Sequence, residues 1–206
     1  LRMSRVTVDG LKATTETDDA DRAYDSQGRL EYSKTAFTER STGAVELDHA
    51  YTVETSVRGI TGVAQYYNNL GQLLRMSRVT VDGLKATTET DTADRTYNSL
   101  GQLKSSASRI SEKSDGELDH AYTQEMLVSE YNSLGQITIM TRTTIDAGKT
   151  TTEIDKAGRS YTDIGQLKTS DVETSERGAL LDRTYRVYTN ISSYDLLGQI
   201  KRMTRA

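Results

Sequence analysis

The chain has 206 residues, of which 34% are hydrophobic and 27% are charged, and its formal net charge is −4. Cysteine is absent, which excludes disulfides and thiolate metal sites. No stretch reaches the roughly 18 consecutive apolar residues of a membrane-spanning helix. The basic residues are scattered singly, whereas nucleic-acid phosphates are bound by clustered Lys and Arg, so neither a membrane span nor a nucleic-acid partner is expected.

The first segment of the chain is also its clearest repeat, because residues 1–18 recur without change as residues 74–91. A more divergent copy occupies 138–167, and longer related units lie between the copies. The chain therefore reads as one continuous array of six half-repeats: 1–30, 31–73, 74–103, 104–137, 138–167 and 168–200, with residues 201–206 resembling the start of a seventh.

A repeat array duplicates a surface and not a unique pocket, which favours a role based on shape over catalysis. Terminal repeats normally change composition to cap the stack, and neither end of this array does so. We therefore expect the array to continue in a longer protein.

Each half-repeat is predicted to be two strands joined by a tight turn. In residues 3–8 (Met-Ser-Arg-Val-Thr-Val) polar and apolar letters alternate, as they do on the two faces of a strand. Asp9 and Gly10 follow, and Asp-Gly predicts a two-residue type I′ turn with both central residues at positive φ. The same pattern predicts turns at Gly83 and Gly116.

A second turn closes every half-repeat with Tyr, three residues and Gly. Asn or Asp after the Tyr and Gly three positions later fit a type I turn with a G1 bulge, in which the Gly is left-handed. The Tyr is expected to pair across the hairpin with the Leu or Ile two positions after the Gly. The six pairs are Tyr24 and Gly28, Tyr67 and Gly71, Tyr97 and Gly101, Tyr131 and Gly135, Tyr161 and Gly165, and Tyr194 and Gly198.

Together these turns predict an all-β protein, a tandem antiparallel hairpin meander of about 12 strands. Natural sheets twist, so a sheet of that width must curl, split or close. We expect it to curl into a spiral shell, a tube or a solenoid-like array.

Candidate chemistry centres on His49 and His120, which both lie in Leu-Asp-His-Ala-Tyr and could form an acid/base pair or a metal site. The third copy has Arg183 there, so we interpret the histidines as duplicates of a surface position. Asp18 to Asp21 could bind Ca²⁺, but they lack the glycine spacing of a binding loop and are interpreted as solvated charge. No catalytic, cofactor-binding or metal-binding residue is assigned.

Two other functions are compatible with the pattern. A recurring Thr row, as in Thr15 to Thr17, could bind ice on a flat face, although Thr is also a common exposed-strand residue. The Tyr residues that enter the closing turns could line a carbohydrate groove, although cross-strand packing explains their regular position as well.

The closing motif, Tyr-Asp/Asn-x-x-Gly-Arg/Gln-Leu, resembles the YD repeat of the Rhs family. Residues 24–30 (Tyr-Asp-Ser-Gln-Gly-Arg-Leu) fit its YDxxGRL form completely, and residues 194–200 fit nearly as well. The resemblance implies β-hairpins wound into a spiral shell and a surface or secreted location. Gln replaces Arg in five of the six motifs, and the strands between them are Thr-rich.

The sequence thus favours a non-enzymatic structural segment of a large repetitive cell-surface or secreted protein, a filament or tube component extended by strand pairing. Its partners would be further copies of the repeat, in cis or in neighbouring chains, and no cofactor or small-molecule ligand is expected. The alternatives are an Rhs-like shell segment or an adhesin-type binding module, with ice binding as a third.

Overall fold

A computed structural model describes residues 2–43, 47–60, 63, 65–114, 119–196 and 198–206. The protein is all-β, with 71% of its residues in strands and no helix in these ranges. The strands are β1 (Ser4–Asp9), β2 (Lys12–Asp18), β3 (Ala23–Tyr24), β4 (Leu30–Ser41), β5 (Asp48–Ser56), β6 (Ser77–Asp82), β7 (Lys85–Tyr97), β8 (Leu103–Ser114), β9 (Asp119–Tyr131), β10 (Ile137–Asp146), β11 (Lys149–Tyr161), β12 (Leu167–Gly178), β13 (Leu181–Tyr194) and β14 (Ile200–Arg205).

The strands form one antiparallel sheet in sequence order, from β1 to β14, with the short β3 beside β4. The predicted hairpin meander is therefore confirmed. It has 14 strands where about 12 were expected. One additional strand is β14, which opens the seventh unit, and the other arises because β2 and β3 are separate where β7 and β11 are continuous.

The break between β2 and β3 follows from one difference between two nearly identical copies. Asp19 stands where the second copy has Thr92, and Asp is depleted in strands whereas Thr is enriched. The Asp19 N–H bonds to the Lys34 carbonyl at 2.8 Å, outside the ladder that β2 makes with β4. The strand resumes only at Ala23.

The short turns lie one residue later than predicted. Asp9 pairs with Lys12, so the two loop residues are Gly10 and Leu11, and Gly10 alone has positive φ, at +58°. This is the arrangement of a type II′ turn, with Gly at the first central position. Gly83, at φ +57°, occupies the same place between β6 and β7. The predicted turn at Gly116 lies outside the described residues.

The register explains this shift. With Asp9 opposite Lys12, Arg5 lies opposite Glu16 and donates to it at 2.9 Å. A loop at Asp9 and Gly10 would instead place Arg5 opposite Thr14 and would separate this charge pair. Cross-strand charge pairing therefore favours the observed register.

The third copy has a different turn. Between β10 and β11 the loop residues are Ala147 and Gly148, at φ +46° and +80°. Both central residues are thus left-handed, as in a type I′ turn, and Ala147 is the one non-Gly residue at positive φ in the part of the chain that the structure describes.

Two compact units make up the chain: Leu1–Asp94 with Ser108–Ala121, and Arg95–Ala107 with Tyr122–Ala206. The first buries Val57 and Ile110, and the second buries Val128 and Ile191. These four are the buried hydrophobic side chains among the described residues, whereas eight polar or charged side chains are buried there. Buried polar side chains thus outnumber buried hydrophobic ones among the described residues of each unit, and buried polar groups need hydrogen-bond partners.

Candidate functional site

The most regular feature of the molecule is the turn that closes each half-repeat, here called the corner, from its Tyr to the Leu or Ile after its Gly. In the third corner the Gly101 N–H donates to the Asn98 carbonyl at 3.0 Å, and the Asn98 N–H donates to the Gln102 carbonyl at 2.9 Å. This pair of bonds defines a type I turn followed by a G1 bulge.

All six corners share this backbone. Their glycines have φ values of +75° to +86°, in the region that a Cβ disfavours. They are Gly28, Gly71, Gly101, Gly135, Gly165 and Gly198.

Side chains at the second and sixth corner positions bind each other. Asn98 Oδ1 accepts from the N–H groups of Leu100 and Gln102 at 3.0 and 2.9 Å, and Asn98 Nδ2 donates to Gln102 Oε1 at 2.8 Å. The pairs Asn68 with Gln72 and Asn132 with Gln136 are the same, at 2.6 and 2.7 Å.

The first corner replaces this amide pair with an ion pair. Arg29 Nε donates to Asp25 Oδ2 at 2.6 Å, and the Arg29 N–H bond to the carboxylate is the main reason that the pKa of Asp25 is lowered. Gln in place of Arg thus coincides with Asn in place of Asp in the second, third and fourth corners. In these three corners the departure from YDxxGRL exchanges one matched pair for another.

Successive corners are also joined to each other. The Tyr131 hydroxyl donates to the Leu103 carbonyl of the preceding corner at 2.5 Å. Tyr67, Tyr161 and Tyr194 donate in the same way to Leu30, Ile137 and Leu167. The expected cross-strand pairs are present as well, for example Tyr131 with Ile137. These hydroxyls are used inside the protein, which favours the packing interpretation of the Tyr residues over a carbohydrate groove.

The corner Gln side chains lie against the next glycine in the second unit. A Cβ on Gly135, Gly165 or Gly198 would lie 3.6, 3.1 or 3.5 Å from the Nε2 of the preceding Gln. The contacting residues are Gln102, Gln136 and Gln166 respectively. Of these three contacts, the one at Gly165 is closer than an ordinary van der Waals contact, so a side chain there is disfavoured by space as well as by φ.

A second repeated contact, called the joint here, is formed by a buried Asp carboxylate. Asp18, Asp91 and Asp155 are 4%, 2% and 6% exposed. Each accepts a bond from the backbone N–H of a Met 15 residues earlier, at 2.7, 2.8 and 2.9 Å. The donors are Met3, Met76 and Met140. The interpretation of Asp18 as solvated charge is wrong, since it is buried and bonded.

Further bonds complete this joint. Arg22 and Arg159 donate to Asp18 and Asp155 at 2.8 and 3.0 Å, each from four residues later. The Ser108 hydroxyl donates to Asp91 at 3.1 Å. The bond from Arg22 is the largest cause of the lowered pKa of Asp18. Sequence reasoning missed the joint, although the spacing of Met, Asp and Arg is the same in all three copies.

His49 lies in an exposed row of charges and not in a catalytic cluster. Its Nε2 lies 3.0 Å from Asp82 Oδ1, its Nδ1 lies 3.6 Å from Glu39, and Glu39 also binds Lys12 at 3.1 Å. The bond to Asp82 raises the pKa of His49.

The same row of charged side chains recurs in the other two copies, with Arg in place of His in the third. Glu112 binds Lys85 at 2.6 Å and lies 3.6 Å from His120, and Glu176 binds both Lys149 and Arg183. The position thus places a basic side chain, His in two copies and Arg in the third, beside a carboxylate. Among the described residues no group of His, Asp and Glu is arranged to hold a metal ion.

The Thr row is narrow. Thr143, Thr152, Ser175 and Thr184 lie in register across four strands. On the same face, two residues along each strand, Glu173 lies opposite Arg186. Ice binding would need an extended flat array of hydroxyl groups. A single row of hydroxyls beside charged pairs does not provide one, so this arrangement does not favour ice binding.

A pocket of about 630 Å³ lies between the first and second corners. Pockets also lie between the third and fourth corners and between the fifth and sixth. The lining of the pocket between the first and second corners includes Tyr66, Tyr67 and two paired charges, Arg58 and Glu31. Arg29 also lies over the Tyr67 ring at 4.6 Å. In the described part of the chain no buried side-chain nitrogen or oxygen lacks a hydrogen-bond partner, so no orphaned group marks a ligand position.

These features define the class: an all-β protein of tandem hairpins joined by corner and carboxylate bonds. No match was found among protein-family models, characterised proteins or solved structures. Within the described ranges, no helix is long and apolar enough to cross a membrane.

Proposed function

We propose that this chain is a non-enzymatic structural segment of a large repetitive cell-surface or secreted protein, in which hairpin units extend a filament or tube by strand pairing. The observation that carries the proposal is that the repeated polar groups serve structure. In the described ranges, corner Asn, Gln and Tyr side chains and the buried Asp side chains form hydrogen bonds within the protein, for example Asn98 with Gln102 and Asp155 with the Met140 N–H.

The first and last strands of the order support extension, because the next unit of a longer array or a neighbouring chain can pair with them. β1 and β14 occupy the two ends of the strand order, and all their residues are exposed. An unpaired edge presents backbone N–H and C=O groups to which another strand can add. The resemblance of residues 24–30 to the YD repeat supports the proposed surface location.

Electron microscopy and sedimentation of the purified chain at increasing concentration test the extension. We expect particles that lengthen with concentration in steps of one chain. Discrete monomers at every concentration would contradict a filament or tube. Antibody labelling of intact cells tests the location, which requires accessible epitopes.

A binding module is the second candidate, because the pocket beside Tyr66 and Tyr67 combines aromatic rings with polar groups, as sugar sites do. A glycan array with wild-type chain and a Tyr66→Ala variant distinguishes this function. Specific signals lost in the variant would favour an adhesin over a purely structural role.

A further inference from the structure

Exposed apolar side chains recur at the tips of the corners. Leu70, Leu100, Leu134 and Ile164 stand directly before the corner Gly and are 84%, 81%, 76% and 80% exposed. The sixth corner presents Leu196, one position earlier, at 75%. Single exposed apolar residues are ordinary on a protein surface, whereas a large apolar side chain repeated at one place marks a surface used for binding.

The turn itself does not require an apolar residue at this position. The first corner has Gln27 there and forms the same backbone bonds, from the Gly28 N–H to the Asp25 carbonyl at 3.0 Å and from the Asp25 N–H to the Arg29 carbonyl at 2.9 Å. Turns are usually built from Asn, Asp, Ser and Gly. The structure of the corner therefore does not account for the Leu and Ile residues.

Four of the apolar tips lie in one compact unit, on corners that are bonded to each other. The third to sixth corners belong to the unit of Arg95–Ala107 and Tyr122–Ala206. The hydroxyls of Tyr131, Tyr161 and Tyr194 each donate to a carbonyl of the preceding corner. The rim, as this row of tips is called here, consists of Leu100, Leu134, Ile164 and Leu196. Because its corners are held in place beforehand, a partner that binds the rim has less entropy to remove.

The spacing of the rim matches a second row of the same kind. Consecutive corners are two strands apart in the sheet order, and neighbouring strands lie about 4.8 Å apart, so the tips recur about every 10 Å. Packed aliphatic atoms approach to about 4 Å. The gap between two tips therefore holds one further aliphatic side chain, and a second copy of the rim has the period that fills each gap.

We propose that the rim of one chain packs against the rim of a second copy of this chain, with the two rows antiparallel and offset by half a period. A two-fold axis perpendicular to the rows permits this offset, whereas parallel rows related by a two-fold axis place each tip end-on against its own copy. The inference goes beyond the proposed function, because strand pairing extends an array along the sheet order and the rim joins two arrays side by side.

Charged residues beside the rim agree with the antiparallel orientation. Lys104 is exposed and lines one pocket with Asn98 and Ser99 of the third corner. Asp163 and Asp195 are exposed at the fifth and sixth corners. Antiparallel rows bring Lys104 of one copy to the end of the rim that carries Asp195 of the other, whereas parallel rows set each Asp against its own copy. Like charges in contact disfavour the parallel orientation.

The size of the contact sets the expected affinity. Four side chains from each copy, with the turn atoms between them, bury roughly 1,000 Å² in total, just below the range of about 1,200–2,000 Å² for stable complexes. We therefore expect a weak dimer, with a Kd of roughly 1–100 μM.

Sedimentation equilibrium of the whole chain tests the contact. The rim variant combines Leu100→Gln, Leu134→Gln and Ile164→Gln, which keeps the turns because Gln stands at this place in the first corner. Leu180→Gln is the matched control, since Leu180 is 103% exposed in the short turn between β12 and β13, at the opposite edge of the sheet. We expect the control to dimerise like wild type and the rim variant at least tenfold more weakly.

Strand-paired extension uses backbone groups and is common to all three proteins, so the difference between them reports the rim alone. A rim variant that associates like wild type, a control that loses as much as the rim variant, or a wild type that stays monomeric at millimolar concentration would each overturn the proposal. Filaments that still form from the rim variant would leave the proposed function standing.

The orientation is tested by cross-linking, because the chain has no cysteine of its own. Chains with Leu100→Cys and chains with Leu196→Cys are mixed and oxidised. Antiparallel rows give disulfides between the two variants and few between two Leu100→Cys chains. A product dominated by Leu100→Cys joined to itself, or a mixture without cross-links, shows that the rows are not paired in this way.

A lipid surface is the other occupant that suits apolar tips. Flotation with phosphatidylcholine vesicles, with and without phosphatidylserine, compares wild type with the rim variant. We expect no binding that depends on the rim. Wild type that floats with the vesicles while the rim variant does not, and that stays monomeric in solution, would assign the rim to a membrane surface and overturn the dimer.

Discussion

Each corner glycine meets up to two separate requirements, a left-handed backbone and contact with the preceding Gln. Gly165 has φ +86° and lies against Gln136 Nε2, whereas Gly28 has φ +77° and nothing within 4 Å of its Cβ position. The two residues therefore form a matched pair for mutation.

Gly165→Ala is expected to lower the free energy of unfolding by more than Gly28→Ala. The left-handed backbone costs about 1–2 kcal/mol at either site, and only Gly165→Ala adds a tight contact at 3.1 Å. Urea unfolding of both variants measures the difference. Equal losses would show that Gln136 moves away freely.

The buried carboxylates are the second residue-scale feature. Asp91→Asn should destabilise the protein by about 1–3 kcal/mol, because a buried charge-assisted bond to the Met76 N–H is replaced by a weaker one. Asp94→Asn is the control, since Asp94 is an exposed partner of Arg75 and surface pairs contribute about 0–1 kcal/mol. Comparable effects at the two sites would contradict the structural role of Asp91.

Among the hairpins, the turn between β10 and β11 contains a strained residue. Ala147 has φ +46°, and Asn tolerates this region better than Ala does. Ala147→Asn should stabilise the protein by about 0.5–1 kcal/mol. Ala179→Asn, in a loop where φ is negative, should give no gain; thermal unfolding compares the two.

The charge row across β2, β4, β5 and β6 predicts a pH dependence. The pKa of His49 is raised by Asp82, so its stabilising contribution is complete below the unfolded pKa of about 6.5 and is lost as pH rises through the higher folded value. His49→Arg stays charged throughout, as Arg183 does in the third copy. The melting temperature of wild type relative to His49→Arg should therefore fall as the pH rises above about 6.5 and through the higher folded pKa of His49. A constant difference would contradict the pairing.

Much of the fold could be predicted from particular residues of the sequence. The alternation in 3–8 and the recurring Tyr and Gly predicted hairpins in a meander. The position of the short turns did not follow, because Asp-Gly predicts a central pair, whereas the pairing of Arg5 with Glu16 on the opposite strand favours a loop at Gly10 and Leu11. Asp18 was missed because a carboxylate beside other acidic residues looks solvated until its bond to the Met3 N–H is known. The charged neighbours of His49 lie on other strands and become visible only with the pairing.

Across the whole molecule, each strand is hydrogen-bonded to strands that are close to it in the sequence, so a repeat can be removed without separating distant partners. Deleting residues 74–137 removes one short and one long half-repeat and keeps their alternation. We expect the shortened chain to fold with an unchanged β-type circular dichroism spectrum. The dependence of its unfolding free energy on urea should fall by about a third, in proportion to the surface lost. An unfolded product would mean that distant repeats stabilise each other.

The neutral Asn and Gln pairs of three corners should make these turns insensitive to salt and acid. Concentrated electrolyte weakens exposed pairs such as Arg5 with Glu16, and acid discharges their carboxylates. Neither condition alters an amide bonded to an amide. In concentrated salt or at low pH the strand faces should thus loosen first, while the second, third and fourth corners keep their form.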